Sequence, residues 1–288
     1  MRPPDAVERV TATLAEAGVP DPRTDAEILV AEVHGVSRSE LFVPNGELSA
    51  AAQARLAELV ARRRRRREPL QYVLGEWGFR RLTLTVDRRA LIPRPETEVL
   101  VERCLALVAD VPEPRILDVG VGSGAIALAL ADERQEARIT AVDASPDALS
   151  LARENAERTG LADRVELVHG DLFVGLAGPF DLVASNPPYV SEAELPALEP
   201  EVRDWEPRQA LVGEGITEAV ADGAREVLAP HGALALETAG GMASDVAAYL
   251  ARLGYVDVRA SPDLTGTGRI AEGRLQHQGR TGKEGADR

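Results

Sequence analysis

The segment Asn186-Pro187-Pro188-Tyr189 carries the most chemical information in this 288-residue chain, and it directly follows the apolar run Phe180–Ala184. A short apolar run of this kind is typical of a buried β-strand. The two prolines cannot donate backbone hydrogen bonds and each fixes its own φ, so they end the strand on a stiff backbone. The Asn186 amide is therefore predicted at the carboxyl end of a strand, where open α/β sheets bind ligands.

This segment suits the recognition of a planar –NH2 group. The side-chain oxygen of Asn186 and the backbone carbonyl of Pro187 are two acceptors that could hold the two N–H bonds of a carboxamide or of a base amine. Pro188 keeps the substrate-binding segment rigid, and the Tyr189 ring could cover a flat group. We therefore predict that Asn186, Pro187 and Tyr189 are catalytic, although a proline-rich turn without a function is an equal alternative for this segment taken alone.

A glycine-rich segment, Asp118–Gly124, lies between a predicted strand and a predicted helix. Glycines let the backbone approach a ligand closely, and a helix N-terminus favours negative groups. The spacing is G-x-G-x-G, which differs from the G-x-G-x-x-G of dinucleotide folds, and no P-loop lysine follows. Asp143 ends the next predicted strand and could accept both hydroxyls of a ribose. The pattern predicts a nucleoside ligand that is bound without a phosphate-binding loop.

S-adenosylmethionine fits this pattern, with Asp118 near its methionine end, Asp143 on the ribose and Asp171-Leu172 beside the adenine. The predicted cofactor-binding residues are Asp118, Gly120, Val121, Gly122, Ser123, Gly124, Asp143, Asp171, Leu172 and Asn186. The alternatives are a tight turn beside a solvated aspartate, or the nucleotide site of a dehydrogenase. No metal site is predicted.

Charge is distributed unevenly along the chain. The formal net charge is −14; residues 1–110 hold 17 basic and 17 acidic side chains, whereas residues 111–288 hold 16 and 30. An acidic half that carries the chemistry is a poor match for naked nucleic acid, so direct DNA binding is not expected. Cys104 is the only cysteine, which excludes an intrachain disulfide and favours a reducing cytoplasm. Neither a membrane span nor a signal peptide is expected.

Two predicted regions surround these motifs. Residues 1–75 show three apolar stripes at helical spacing, separated by glycine and proline, and predict a small helical bundle. The arginine run 62–67 is predicted to close a helix and face water, with RNA contact as the alternative. Residues 76–94 predict a strand pair and linker. The segment Leu91–Glu98 is interpreted as a linker plus a capped helix, or as a lid over the cofactor pocket.

From residue 115 onward, strands alternate with helices, which predicts a mostly parallel sheet in an α/β fold. The seven predicted strands are Arg115–Val119, Arg138–Val142, Val165–Val168, Phe180–Ala184, Ala233–Glu237, Tyr255–Arg259 and Arg269–Glu272. We place this second domain at residues 95–275, and a disordered polar tail at 276–288.

The chain resembles bacterial release-factor glutamine methyltransferases over nearly its whole length. The resemblance is carried by Asp118–Gly124, Asp143, Gln71–Gly75, Leu91–Glu98, Gly170–Phe173, Ser185–Tyr189 and Glu201–Arg208. It implies a Rossmann-like class I methyltransferase sheet of seven strands with an N-terminal helical domain for substrate recognition. It also implies methyl transfer from S-adenosylmethionine to the glutamine amide in the Gly-Gly-Gln loop of peptide-chain release factors. Apart from the resemblance, we expect a cytoplasmic protein, from its single cysteine, and a monomer.

The chain departs from the family pattern at residues 212–217, 238–239 and 268, which puts the outer substrate groove in doubt. The segment Asn186–Tyr189 also occurs in adenine- and cytosine-amine methyltransferases, so a nucleic-acid amine methyltransferase is the first alternative. A methyltransferase of a small metabolite is the second, and a non-catalytic module with a nucleotide fold is the third.

Overall fold

The computed structural model describes residues 1–43 and 46–276. The tail predicted at 276–288 lies outside the described residues from position 277 onward. The helices are α1 Pro3–Glu16, α2 Pro22–His34, α3 Ala50–Arg64, α4 Leu70–Leu74, α5 Pro95–Leu107, α6 Ala125–Glu133, α7 Pro146–Thr159, α8 Pro200–Arg203, α9 Arg208–Leu211, α10 Ile216–Val227 and α11 Ala243–Arg252. The strands are β1 Glu76–Phe79, β2 Leu82–Thr85, β3 Arg115–Val119, β4 Arg138–Asp143, β5 Val165–His169, β6 Phe180–Ser185, β7 Leu228–Glu237, β8 Tyr255–Pro262 and β9 Gly268–Leu275. Short 3₁₀ turns span Arg38–Phe42, Ala162–Arg164 and Leu195–Ala197.

The described residues form two compact units. The helical unit comprises the described residues within Met1–Trp77, Val86–Arg88 and Pro196–Glu206, and the sheet unit comprises Gly78–Thr85, Arg89–Leu195 and residues 207–276. The helical unit thus contains a segment, Pro196–Glu206, that lies far along the sequence from its other helices. The sequence offered no apolar period long enough to predict α8 in this segment, because α8 has only four residues.

The helical unit is built on the apolar stripes that the sequence predicts. Val7, Val10 and Leu14 of α1 are buried in one cluster with residues of α2 and α3. Pro3 and Pro22 stand in the first turns of α1 and α2, where a missing N–H costs nothing. Helix α2 ends at His34 and is followed by Gly35, which adopts the left-handed conformation that glycine allows at this position.

The arginine run 62–67 does not all face water, so this prediction is wrong for part of the run. Arg63 is buried; its Nε donates to Asp25 Oδ2 at 2.6 Å and its Nη2 lies 3.0 Å from Glu201 Oε1. The Arg67 Nε donates to Glu201 Oε1 at 2.9 Å. Carboxylates from α2 and α8 therefore hold these guanidinium groups inside the helical unit.

The sheet unit contains seven strands in the order β5-β4-β3-β6-β7-β9-β8. The first five of these run parallel, while β9 pairs antiparallel with β7 and β8. The chain passes outward from β3 through β4 to β5 and then returns to β6 on the other side of β3. The order therefore reverses between β3 and β6, and such a switch point opens a crevice at the carboxyl ends of the strands.

Both faces of this sheet are covered by helices. Ile116 and Leu182 pack in one cluster with α5, α6 and α7, whereas Leu117 and Val183 pack in another with α10 and α11. Neighbouring residues on a strand point to opposite faces, so strands buried on both sides read as continuous apolar runs. The predicted α/β class with a seven-stranded sheet is confirmed.

The strand predictions agree to within one residue except at β8 and β9, which each extend three residues beyond the predicted end, and at β7. The sequence predicts a helix to Leu228 and a strand from Ala233, whereas α10 ends at Val227 and β7 begins at Leu228. His231-Gly232 misled the prediction, since polar and glycine residues usually interrupt strands. None of the helices among residues 1–43 and 46–276 is both long and apolar enough to cross a membrane.

Candidate functional site

Three neighbouring strands bring the predicted motifs to one edge of the sheet. The ends of β3 and β6 are in register, with Val119 beside Ser185, and β4 flanks β3 on its other side. The Ser185 hydroxyl donates to the Val119 carbonyl at 2.7 Å and ties the two strand ends together. The glycine segment, Asp143 and Asn186 therefore leave the sheet at the same edge.

A cavity of about 310 Å³ lies at this edge, wholly within the sheet unit. Its lining includes residues of the glycine segment, of the β4 and β5 ends, and of the proline segment after β6. The predicted site residues in the lining are Gly120, Val121, Gly122, Ser123, Asp143, Asp171, Leu172, Asn186, Pro187 and Pro188. Two motifs more than 60 residues apart in the sequence thus share one cavity.

The glycine segment owes its shape to left-handed backbone conformations. Gly120, Gly122 and Gly124 have φ values of +82°, +54° and +88°. A Cβ on Gly124 would stand 2.9 Å from Leu128 Cδ1, so this position, which does not line the cavity, also requires glycine for packing. The N–H groups of Gly120 and Val121 both donate to the Val142 carbonyl, at 2.8 and 3.0 Å.

Asp143 is held by backbone groups on both carboxylate oxygens. Gly122 N donates to Oδ2 at 2.9 Å and Ser145 N donates to Oδ1 at 2.8 Å. Each oxygen keeps lone-pair capacity for a further donor, because a carboxylate accepts about four hydrogen bonds. Asp143 therefore presents an oriented pair of acceptors to the cavity, which is the arrangement that two vicinal hydroxyl groups require.

Asp118 lies behind the glycine segment rather than in the cavity lining. Its side chain is 0% exposed, and Oδ2 accepts from Ala127 N at 3.1 Å at the start of α6. Its Oδ1 has no hydrogen-bond partner among the described residues. Burial, opposed by the Ala127 hydrogen bond, raises the pKa of Asp118 to about 7.

Asn186 and Tyr189 are placed differently. Asn186 lines the cavity, and its Nδ2 donates to Thr97 Oγ1 at 3.3 Å. Tyr189 does not line the cavity; its side chain is 37% exposed, and partial burial together with the Glu237 carboxyl raises the pKa of its phenol. The stacking role predicted for Tyr189 would need a substrate that extends beyond the cavity.

The structure adds residues that the sequence motifs did not reveal. Arg89 and Ala90 line the cavity, together with Leu91–Arg94 and Thr97 of the segment interpreted from the sequence as a linker or a lid. Glu237, at the end of β7, is 1% exposed, and burial raises the pKa of its carboxyl to about 7. The signal for Glu237 in the sequence is a single acidic residue directly after the apolar run 233–236.

Comparisons with known proteins identify the family. The PrmC N-terminal domain family matches residues 5–75, and the methyltransferase small domain family matches residues 96–199. The chain is 42% identical over 275 residues to the release factor glutamine methyltransferase of Deinococcus radiodurans, covering 94% of this chain and 97% of the relative. It is 42% identical over 268 residues to the protein of the same name from Geobacter sulfurreducens, covering 91% and 93%.

A solved structure supports the fold independently of these sequences. The methyltransferase from Pyrococcus furiosus superimposes with a TM-score of 0.50 at 19% identity, covering 80% of this chain and 100% of that one. At this identity the likeness shows the methyltransferase fold alone. The relatives that match nearly end to end confirm the resemblance seen in the sequence. The chain belongs to the release factor glutamine methyltransferase family.

Proposed function

We propose that this protein transfers a methyl group from S-adenosylmethionine to the side-chain amide nitrogen of the glutamine in the Gly-Gly-Gln loop of peptide-chain release factors. The observation that carries the proposal is the single cavity lined by both the glycine segment and Asn186-Pro187. A methyl donor seated on the first and an amide held by the second would meet there.

The residues of the cavity fit this cofactor. Asp143 offers two oriented acceptors to ribose hydroxyls, and Asp171 and Leu172 lie in the same lining, where an adenine would sit. The Oδ1 of Asp118, behind the glycine segment, has no partner among the described residues, and above its pKa of about 7 the ionised carboxyl would favour a cationic methionine end. When bound, S-adenosylmethionine supplies a sulfonium-activated methyl group.

The chain's own task is to orient the substrate amide. A carboxamide nitrogen is a poor nucleophile because its lone pair is delocalised into the carbonyl. Acceptance of both N–H bonds by Asn186 Oδ1 and the Pro187 carbonyl would fix the nitrogen with its remaining face towards the methyl group. Holding two reactants in such a geometry contributes up to about 7–11 kcal/mol to a reaction of this kind. Tyr189, outside the cavity, would shield the substrate that enters.

The helical region 1–75, matched by the family's N-terminal domain, is proposed to recognise the release factor. Residues 95–275 would carry the methyl transfer, and residues 76–94 would join the two regions. We further propose that the protein acts as a monomer in the cytoplasm, where release factors are found, and that it does not bind DNA directly.

The test is mass spectrometry of the Gly-Gly-Gln peptide from an intact release factor after reaction with wild-type protein and S-adenosylmethionine. We expect a gain of one methyl group on the glutamine, and none on duplex DNA offered in its place. Asn186→Ala should still fold and bind the cofactor and should lose at least 100-fold in transfer rate. Methylation of DNA, or near-normal transfer by the variant, would contradict the proposal.

A further inference from the structure

We propose that Thr97 and Glu237 are positioning residues, which together decide which edge of the Asn186 amide faces the substrate. The inference rests on the proposed function and deepens it, because Asn186 can accept from a substrate amide only if its oxygen points into the cavity. The two edges of an asparagine amide have almost the same shape and opposite hydrogen-bonding character. Neighbouring hydrogen bonds must therefore select one orientation of the Asn186 amide.

Thr97 and Glu237, on the side of Asn186 away from the substrate, provide these hydrogen bonds. Asn186 Nδ2 donates to the Thr97 hydroxyl at 3.3 Å, and this hydroxyl in turn hydrogen bonds to the Glu237 carboxyl. Thr97 is 4% exposed, so no bulk solvent competes for its hydroxyl. Glu237 is almost fully buried, and its Oε2 has no hydrogen-bond partner among residues 1–43 and 46–276. A chain of hydrogen bonds thus runs from the end of β7 through α5 to Asn186.

Which group donates in each of these hydrogen bonds follows from the number of protons that each group carries. A threonine hydroxyl has one proton, and an ionised carboxylate can only accept. Thr97 must therefore give its proton to the ionised Glu237 and accept from Asn186, which turns the amide –NH2 towards Thr97 and the oxygen towards the cavity. A protonated Glu237 can itself donate to Thr97, which frees the hydroxyl proton for the Asn186 oxygen and allows the amide to turn round.

The charges around Glu237 bring this change of state into the neutral pH range. Burial raises the pKa of Glu237 to about 7; the Thr97 hydrogen bond lowers it and the nearby Glu96 raises it. Arg269 of β9 and Arg94, which precedes α5, lower it further, and the Tyr189 phenol also faces this carboxyl. The productive orientation of Asn186 is then enforced above neutral pH and relaxed below it.

The experiment measures single-turnover methyl transfer to an intact release factor between pH 5.5 and 9, with saturating S-adenosylmethionine. The substrate amide does not titrate in this range. A fall in rate towards low pH, called the acidic limb of the pH–rate profile, therefore reports the titration of a group in the protein. The variants are Thr97→Val, which keeps the shape and removes the hydroxyl, Thr97→Ser, which restores it, and Glu237→Gln, which keeps an acceptor and removes the titration. Glu272→Gln is the matched control, because Glu272 is a buried carboxyl on the neighbouring β9 that pairs with Arg103 instead.

We expect the wild-type rate to fall as pH decreases through neutrality, and Glu272→Gln to keep this limb. Glu237→Gln should lose the limb and retain at least a tenth of the wild-type rate at pH 8.5. Thr97→Val should lose 10- to 100-fold in rate with unchanged cofactor affinity, and Thr97→Ser should recover most of it. A wild-type rate for Thr97→Val, a flat wild-type profile, or an unchanged acidic limb in Glu237→Gln would overturn the inference alone. Failure of the wild-type protein to methylate any release factor would instead overturn the proposed function and this inference with it.

Discussion

The ionisation of Asp118 should reduce the stability of the sheet unit as pH rises. This carboxyl is fully buried, and its only hydrogen bond among the described residues comes from Ala127 N. Its pKa is raised from the ordinary value of 3.8 to about 7, so the folded protein holds the proton more tightly than the unfolded chain does. Stability is therefore highest below pH 4 for this group, and it is lost progressively between pH 4 and 7.

The magnitude follows from the size of this pKa change. Each pKa unit corresponds to roughly 1.4 kcal/mol, so the raised pKa should cost about 4 kcal/mol of stability at pH 8, where the carboxyl is ionised in both states. At pH 5 it should cost about 2 kcal/mol, because folding must protonate a carboxyl that is ionised in the unfolded chain. Asp118→Asn keeps an oxygen that can accept from Ala127 N and cannot ionise. We expect the variant's free energy of unfolding, relative to wild type, to rise by about 2–3 kcal/mol between pH 5 and pH 8.

Native-state hydrogen exchange of the β3 amides at the two pH values measures this difference within the sheet unit. Asp147→Asn is the control, since it removes the same charge at an exposed position in the first turn of α7. Its effect should change by well under 1 kcal/mol between the two pH values. If Asp118→Asn shifts stability equally at pH 5 and pH 8, Asp118 is not a carboxyl kept protonated by burial, and the reasoning fails.

Three further outcomes can be measured. Asp143→Ala should weaken S-adenosylmethionine binding at least 10-fold by calorimetry, because it removes both oriented acceptors. Gly213→Ala should lower the methyl-transfer rate at saturating cofactor, since a Cβ at this position would stand 2.5 Å from Pro188 Cγ and must displace it. Arg63→Met should destabilise the helical unit by about 3 kcal/mol in urea unfolding, because it leaves Asp25 as a buried, unpaired carboxylate. A variant with wild-type cofactor affinity, transfer rate or stability in its own assay would contradict the reason given for that variant.

The local patterns of the sequence predicted most of the fold. Strands buried on both faces appear as apolar runs, and proline or serine at helix starts marks elements such as α5 and α7. The glycine segment and Asn186–Tyr189 were recognisable because they depend on backbone properties that only glycine and proline supply. These signals reside in neighbouring residues, and a single sequence is sufficient to reveal them.

Long-range proximity decided the rest. Arg63 forms an ion pair with Glu201, more than 130 residues later in the sequence, and Thr97 forms a hydrogen bond with Asn186, 89 residues later. No periodic pattern of neighbouring residues could predict either pair. Asp118 was predicted to bind the cofactor near its methionine end. The structure places its carboxyl behind the glycine segment, because its position on β3 directs the side chain towards the start of α6. The sequence by itself determined which groups could do the chemistry; the order of the strands decided which of them meet at one cavity, because only packing brings distant strand ends together.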